Sequence, residues 1–247
     1  RVSSLIEHSH NIENMPSASQ RAQLGLSVEA VAEHAARRDG APSGTTCALS
    51  REVAGRTRGG EAWAAQRSVA VAVIIRPPWT PEEADLTWVL AAVAGARALS
   101  GIGISNSECQ WPDVLTIKEH EVGRSYAKAF LGPGVIDFAV LSVRFDLDAV
   151  ARLSDVGLME LEQSAVKELN RAAHLAEDYA ISEIRHDFIG LCSTFGQTLE
   201  IDLKPKGYVR GTVVDLAPNG GIVVESSTAM REVVSVDSLR RLKPMSM

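Results

Sequence analysis

Residues 68–75 (SVAVAVII) form a run that is apolar throughout after Ser68, and this run limits the possible folds of the chain more than any other segment. The run is rich in β-branched residues and alternates little with polar ones, which predicts a strand buried at the centre of a sheet. Residues 76–79 (RPPW) follow it. Because proline cannot donate a hydrogen bond to a sheet ladder, the strand is expected to end there.

Three further segments have helical patterns. Residues 18–38 place apolar side chains at helical spacing, which predicts a first helix. The segment 80–83 (TPEE) has the residues of a capping box with proline at the first helical position, and it introduces an apolar helix over 86–99. Strong helix formers over 158–184 predict one long helix.

Other segments predict strands. Residues 45–49 and 109–116 are each expected to form one short strand. Residues 125–131 and 135–147 flank the turn sequence Gly132-Pro133-Gly134, and this arrangement predicts a β-hairpin.

The chain changes character after Gly190. Short β-rich runs follow at 198–203, 208–216, 221–225 and 232–236, separated by turn residues. Four or five short strands in so few residues predict a small SH3-like barrel. We therefore expect an α+β protein with a mixed sheet covered by helices in a domain of residues 1–193, and an SH3-like barrel in a domain of residues 194–247.

Charge and cysteine usage narrow the class of protein. The formal net charge is -6 and no basic block stands out, which disfavours nucleic acid as a partner. No apolar run approaches the roughly 20 residues that a membrane span requires, and no signal-peptide pattern is present. Three widely spaced cysteines fit a reducing cytoplasm, and no set of residues suggests a metal site.

Two motifs resemble those of the biotin protein ligases. Residues 55–63 (GRTRGGEAW) resemble the GRGRRGRxW loop of that family, and residues 110–115 (QWPDVL) resemble its KWPND element. Weaker matches occur in the family's order at 16–20, 41–45 and 211–224. The resemblance covers nearly the whole chain, without the family's N-terminal DNA-binding domain.

The resemblance implies that a small carboxylic acid such as biotin is activated with ATP and Mg²⁺ as an acyl-adenylate and passed to a carrier-protein lysine. A loop of glycine and arginine suits this task, since glycine permits close approach to a phosphate and arginine donates charge-assisted hydrogen bonds to it. By this resemblance, Arg56 and Arg58 would contact phosphate, Trp63 would pack on adenine, and the acid's head group would meet Ser17, Ser19 and Gln20. The other ligand-binding positions implied are Gly55, Gly60, Gln110, Trp111 and Asp113.

Several motif positions depart from the family. Gln110 stands where the family has lysine, and Asp113 and Val114 stand where it has Asn-Asp. Each lost charge-assisted hydrogen bond removes ~1.5–3 kcal/mol of binding. The lysine that opens the family's KLAGILVE strand is replaced by Arg124 or Ser125, and Lys128 falls on a glycine position, so Arg124 and Lys128 are the candidate catalytic cations.

The family's next strand, which contains glycines and asparagine, is replaced by residues 141–145 (LSVRF). Within that replacement, Arg144 is expected either to face water or to form a salt bridge. Because so many motif positions change together, we expect carrier modification to be inefficient.

Three functions stay open at this point. The first is a divergent ligase-like protein that binds an acid or its adenylate and acts on a biotin-carrier or lipoyl-type carrier domain. The second is a non-catalytic binding or interaction protein on the same fold, which could form a homodimer. The third is a lipoyl or octanoyl acyltransferase with Cys109 as the nucleophile, although no adjacent base is evident.

Overall fold

The computed structural model describes residues 19–244 except positions 23, 61, 64 and 66. A seven-stranded sheet contains β1 (Ser19–Ala22), β2 (Thr46–Leu49), β3 (Ser68–Ile75), β4 (Ser107–Gln110), β5 (Val114–Ile117), β6 (His120–Leu131) and β7 (Ile136–Asp146). A five-stranded sheet contains β8 (Thr198–Leu203), β9 (Tyr208–Leu216), β10 (Ile222–Glu225), β11 (Arg231–Val234) and β12 (Leu239–Pro244). The helices are α1 (Val28–Arg38), α2 (Leu86–Ser100), α3 (Leu147–Ala151), α4 (Leu158–Glu177) and α5 (Ile181–Leu191), with a 3-10 turn at Pro81–Glu83.

The apolar run at 68–75 is β3, an interior strand of the first sheet. The strand order is β1-β2-β3-β7-β6-β5-β4, and β3 pairs with β7 along its whole length. All eight residues of β3 are buried. Strands β1 and β2 run parallel and the other neighbouring pairs are antiparallel, so the sheet is mixed. The predicted buried central strand and the α+β class are confirmed.

Helices cover both faces of β3, because successive side chains of a strand point to opposite sides. Ala70, Ala72 and Ile74 pack in one hydrophobic cluster with the buried face of α1. The intervening Val69, Val71 and Val73 belong to a larger cluster that includes α2 and α4. Within the described part of the chain, no helix has both the length and the apolar composition needed to cross a membrane.

The prediction of a helix over 18–38 is wrong in its first part. Residues 19–22 form β1, which pairs in parallel with β2, and the helix starts only at Val28. Its start is set by Ser27, whose side chain accepts a hydrogen bond from the Ala30 N–H at 3.2 Å. Pairing with a neighbouring strand outweighs the weak local helix preference of the earlier residues.

Two other predicted elements are divided. The long helix expected over 158–184 is interrupted after Glu177, where Tyr179 has φ 54, a left-handed backbone angle that a continuous helix cannot contain. The single strand expected over 109–116 is the hairpin β4–β5, with its turn at residues 111–113. The hairpin predicted around 132–134 is confirmed as β6 and β7.

The β-rich C-terminal segment forms the antiparallel sheet β11-β10-β9-β8-β12. The four strands predicted from the sequence are present, with β12 as the fifth. Strands β11 and β12 are the two edges of this sheet as described, so its closure into a barrel stays a prediction. Buried residues of both sheets, such as Val71 of β3 and Ile201 of β8, belong to one hydrophobic cluster.

The second sheet meets the first part of the chain at the N-terminus of α2. The Val236 N–H donates to Asp85 Oδ2 at 2.9 Å in a buried position. Gly220, with φ +94, lies so close that an added Cβ would be 2.4 Å from Leu86 N. Burial raises the pKa of Asp85 to about 6, although the Val236 hydrogen bond lowers it.

The raised pKa of Asp85 predicts a pH-dependent stability. The folded protein holds this proton more tightly than the unfolded chain, whose aspartates titrate near pH ~4. The contribution of Asp85 to the free energy of unfolding therefore falls as pH rises from about 4 to about 6. We expect Asp85→Asn to match the wild type near pH 4 and to be more stable by about 1–3 kcal/mol at pH 7.

Urea denaturation across this pH range measures the difference. Asp237→Asn is the control, because Asp237 is exposed and only adds a neighbouring negative charge. A difference between Asp85→Asn and wild type that stays constant with pH would contradict the assignment.

Candidate functional site

The Gly/Arg segment predicted as a binding loop is held from behind by a buried arginine. Arg144 on β7 has no exposed side-chain surface and forms ion pairs with Glu29 of α1 and Glu52. Its Nε donates to Glu52 Oε2 at 2.9 Å, and its Nη1 donates to the Arg56 carbonyl at 2.7 Å. Burial lowers the pKa of Arg144, but the two carboxylates outweigh burial and raise it. The guanidinium is therefore a charged tie between the sheet, α1 and the loop.

Glu52 and Gly55 complete this tie. Glu52 Oε1 accepts the Val28 N–H at 2.7 Å, so one carboxylate both binds Arg144 and satisfies the first turn of α1. A Cβ at Gly55 would lie 2.6 Å from Glu52 Oε2 and 3.0 Å from Arg144 Nε. Gly55 therefore has no room for a side chain, because it packs directly against the ion pair of Glu52 and Arg144.

In front of the tie, the loop opens into a cleft of about 590 Å³. The backbone N–H of Trp63 donates to the Gly55 carbonyl at 2.9 Å, and this hydrogen bond closes the base of the loop. Four of the predicted site residues, from three separate segments, meet at the cleft: Arg58, Trp63, Asp113 and Arg124. The cleft is completed by Thr57, Gly59, Ala62, Ala65, Glu121, Val122, Asp146 and Arg240.

Asp113 is the buried acid of the cleft. It lies 3.4 Å from Arg124 Nη1 and 3.9 Å from Arg58 Nε. Burial raises the pKa of Asp113, and the two arginines oppose that rise. Arg58 is fixed further by its Nη1, which donates to the Leu239 carbonyl of β12 at 2.9 Å. The second sheet therefore positions an arginine of the first motif.

Arg124 has an additional carboxylate partner. Its Nε and Nη2 donate to the two oxygens of Glu121 at 2.7 and 2.9 Å, a bidentate pair. Among the described lining residues, three arginines (Arg58, Arg124, Arg240) face three acids (Asp113, Glu121, Asp146). The charges of the cleft are balanced by its own side chains.

Two donors at the cleft are nevertheless buried without an acceptor. Arg58 Nε and Trp63 Nε1 have no hydrogen-bond partner among the described residues. A buried donor left without an acceptor costs about 1–3 kcal/mol. A ligand with acceptor groups that reached both donors would remove this cost.

Side chains along β6 distinguish the two candidate cations. Arg124, Tyr126 and Lys128 share one face of the strand. Arg124 lines the cleft, whereas Lys128 lies four residues further on, pairs with Glu33 of α1 at 3.2 Å and stacks over Phe130 at 4.4 Å. Lys128 does not line the cleft.

Five further predicted site residues do not line the cleft: Gly55, Arg56, Gly60, Gln110 and Trp111. The Arg56 side chain is exposed and hydrogen-bonds Tyr126. Gly60 adopts φ +78 at the tip of the loop, an angle that favours glycine. Gln110 ends β4, and the Trp111 side chain is buried while its N–H donates to Thr194 Oγ1 at 2.9 Å.

Two of the three predicted head-group residues belong to the first strand. Ser19 and Gln20 pair through β1 with Thr46 and Cys47. Ser17 and Glu61 lie outside the described residues.

The sequence interpretation missed the carboxylates on which the site depends. Arg144 was expected to face water or to form a salt bridge, and the salt bridge is the one observed. An arginine inside an apolar strand requires a buried acid, because an unpaired charge is too costly to bury. That rule predicts an acidic partner for Arg144. It does not identify Glu29 and Glu52, which lie 90 or more residues from Arg144 in the sequence.

Cys109, the alternative nucleophile, is fully buried. Its thiol lies 3.6 Å from the Leu191 carbonyl, and its hydrogen bond to Cys192, together with burial, raises its pKa well above the usual value. A nucleophilic cysteine needs the opposite shift. Within the described residues, no cluster of three or more His, Cys, Asp or Glu side chains is arranged to hold a metal ion.

The buried tie predicts a large effect of removing Arg144. Arg144→Met leaves Glu29 and Glu52 buried without their counter-charge and should lower the free energy of unfolding by about 3–5 kcal/mol. Arg67→Met is the matched control, since Arg67 pairs with Asp148 at 3.0 Å on the surface and should change stability by less than about 1 kcal/mol. Urea denaturation of both variants makes the comparison, and similar losses in the two would refute the special role of Arg144.

Comparisons with known proteins place this geometry on a known fold. The sequence matches no family model and no curated protein. The structure is similar to a biotin protein ligase from Aquifex aeolicus in complex with biotin and ATP, with a TM-score of 0.69 and 16% identity over 92% of this chain and 99% of that one. A biotin protein ligase-like protein of unknown function from Silicibacter sp. TM1040 gives a TM-score of 0.69 and 15% identity over 92% and 98% of the two chains.

A third solved structure extends the likeness. The biotin acetyl coenzyme A carboxylase synthetase from Helicobacter pylori, with bound biotinylated ATP, gives a TM-score of 0.57 and 9% identity over 88% of this chain and 100% of that one. The chain is thus a divergent protein with the biotin protein ligase fold, as its motifs predicted.

Proposed function

We propose that the cleft binds a small, biotin-like carboxylic acid as its acyl-adenylate. The observation that carries this proposal is the convergence of Arg58, Trp63, Asp113 and Arg124 on one cleft in which Arg58 Nε and Trp63 Nε1 lack acceptors. The phosphate of an adenylate offers anionic oxygens to arginine, and its adenine offers a flat surface to tryptophan. Both groups fit the side chains present.

Arg58 and Arg124 are the residues that would hold the phosphate. Arg124 is our choice for the cation that replaces the family's strand lysine, since it lines the cleft and Lys128 pairs with Glu33. Arg56 would support the site from outside the cleft through Tyr126. ATP with Mg²⁺ would supply the activated phosphate, with pyrophosphate leaving as the acid is joined to AMP.

Two features of the cleft weigh against efficient transfer to a carrier lysine. The positive charges are already balanced by acids, which reduces the electrostatic gain from an anionic ligand. In addition, Ser142 and Arg144, which do not line the cleft, hydrogen-bond Glu29 on the face of β7 that packs against α1 and replace the family's glycines and asparagine there. We infer that an acid bound here is either smaller than biotin or held differently toward β1, near Ser19 and Gln20.

A non-catalytic binding protein is the second candidate, and the balanced charge of the cleft favours it. In that role the protein would retain an acid or adenylate, or contact a partner, without transferring an acyl group. The buried thiol of Cys109 gives no support to the acyltransferase alternative.

Further parts of the proposal concern architecture and partners. We propose a division near residue 194 into a core of 1–193 and an SH3-like barrel of 194–247, with a biotin-carrier or lipoyl-type domain as the acceptor if transfer occurs. Homodimerisation is part of the binding-protein alternative.

The direct test is intact-mass spectrometry of apo biotin-carrier and lipoyl domains after incubation with this protein, ATP, Mg²⁺ and a mixture of biotin, lipoate and octanoate. A mass gain on the carrier identifies both acid and acceptor and supports a ligase. An active biotin ligase serves as the positive control. With that control active, an unmodified carrier favours the binding protein.

Ligand affinity gives a second prediction, independent of turnover. Arg58→Gln should weaken binding of a non-hydrolysable acyl-adenylate by about 10- to 100-fold, since a charge-assisted hydrogen bond is worth ~1.5–3 kcal/mol. Glu121→Gln should strengthen it, by up to about 10-fold, because Glu121 competes for Arg124. Isothermal titration calorimetry measures both changes.

Glu119→Gln is the matched control for Glu121→Gln. Glu119 is an exposed residue of the same hairpin and does not line the cleft. An Arg58→Gln variant that binds as tightly as the wild type would exclude this cleft as the adenylate site.

A further inference from the structure

Two cysteines meet where β4 runs beside the C-terminal end of α5. Cys109 and Cys192 form an isolated parallel β-bridge, and the Ser193 N–H donates to the Cys109 carbonyl at 2.9 Å. Backbones paired in this way are ~4.8 Å apart, within the ~4.4–6.8 Å Cα separation that a disulfide spans. The backbone positions of the two residues therefore suit a disulfide.

The two side chains are also directed toward each other. The Cys109 thiol is within hydrogen-bond reach of the Cys192 sulfur as well as the Leu191 carbonyl. Cys47, the third cysteine, lies on β2, where burial raises the pKa of its thiol to about 11. Cys47 therefore serves as the internal control, a buried thiol with which the oxidation of the Cys109–Cys192 pair can be compared.

Donors surround the Cys192 sulfur. They are the Cys109 thiol, the N–H and hydroxyl of Thr194, and the N–H of Trp111. Burial raises the pKa of Cys192, yet these hydrogen bonds outweigh burial and lower it. Cys192 also retains 6% of its surface exposed, whereas Cys109 is fully covered. Reaction with small oxidants follows thiolate character and access, and both favour Cys192 as the residue attacked first.

We propose that Cys109 and Cys192 are a site of reversible oxidation, at which a hydroperoxide converts the two thiols to a disulfide. The Cys192 thiolate attacks one peroxide oxygen, the O–O bond breaks, and Cys192 becomes a sulfenic acid while hydroxide leaves and takes up a proton. The Cys109 sulfur then attacks the Cys192 sulfur, the S–O bond breaks, and the thiol proton of Cys109 leaves with that oxygen as water. Two thiols and one hydrogen peroxide thus yield one disulfide and two waters.

The location links this chemistry to the cleft. Cys109 precedes the segment 110–113 that ends in Asp113, and the Trp111 N–H in this segment donates to Thr194 Oγ1 at 2.9 Å. A disulfide would fix the start of that segment to the end of α5. The inference rests on the thiols alone and does not depend on which ligand the cleft binds.

The test treats the folded, full chain with one equivalent of hydrogen peroxide, blocks free thiols by alkylation, and maps the products by non-reducing peptide mass spectrometry. We expect a peptide pair joined through Cys109 and Cys192, lighter by two hydrogen atoms and reversed by dithiothreitol, with Cys47 still alkylated. Because the bond closes a long loop, oxidation should raise Tm by roughly 5–15 °C.

Single variants separate the two steps. Cys109→Ser should stop the reaction at a Cys192 sulfenic acid, which dimedone traps, and Cys192→Ser should leave Cys109 reduced. Cys47→Ser is the matched control and should form the disulfide as the wild type does. The proposal is overturned if the folded wild type forms no 109–192 bond, if the bond forms only in denaturant, or if Cys47 oxidises as fast as Cys192.

Discussion

The ion pairs of Arg144 with Glu29 and Glu52 are the interaction on which the candidate site depends. They lie between the central sheet and α1, and the same guanidinium holds the Arg56 carbonyl at 2.7 Å. Glu52 also satisfies the first turn of α1 through Val28. A single buried charge thus sets the position of a helix and of the loop that borders the cleft, since a buried arginine is tolerated only where all of its partners are in place.

The cleft in front of this tie combines the motifs of a ligase fold with an electrostatic arrangement of its own. Arg58 is held by the Leu239 carbonyl of the second sheet, and Arg124 is held by Glu121 and Asp113. If the cleft binds the proposed adenylate, its phosphate must compete for these arginines with the acids that are already paired with them. This competition would lower the affinity of the cleft for an adenylate, compared with a site whose arginines have no acidic partners.

Local patterns predicted the elements that are decided by neighbours in sequence. The β-branched run of β3, the glycine-proline turn between β6 and β7, and the capping box before α2 all specify their own conformation. The errors occurred where remote contacts prevail: residues 19–22 pair with β2 rather than extending α1. Arg58 and Trp63 were identified because their motif is short and local, whereas Glu29 and Glu52 meet Arg144 only because α1 and β7, distant in sequence, pack together.

Periodicity, turn residues and short motifs are carried by contiguous residues. For that reason the α+β class, the buried central strand and the resemblance to biotin protein ligases can be read from the amino-acid sequence alone. Long-range packing instead determines that Arg144 forms a buried ion pair, that Arg124 rather than Lys128 lines the cleft, and that Cys109 meets Cys192. Each of these outcomes depends on which segments of the chain the sheet and helices bring together in space. Charge pairing and thiol contact act over a few ångströms in space, and spacing along the chain does not encode that proximity.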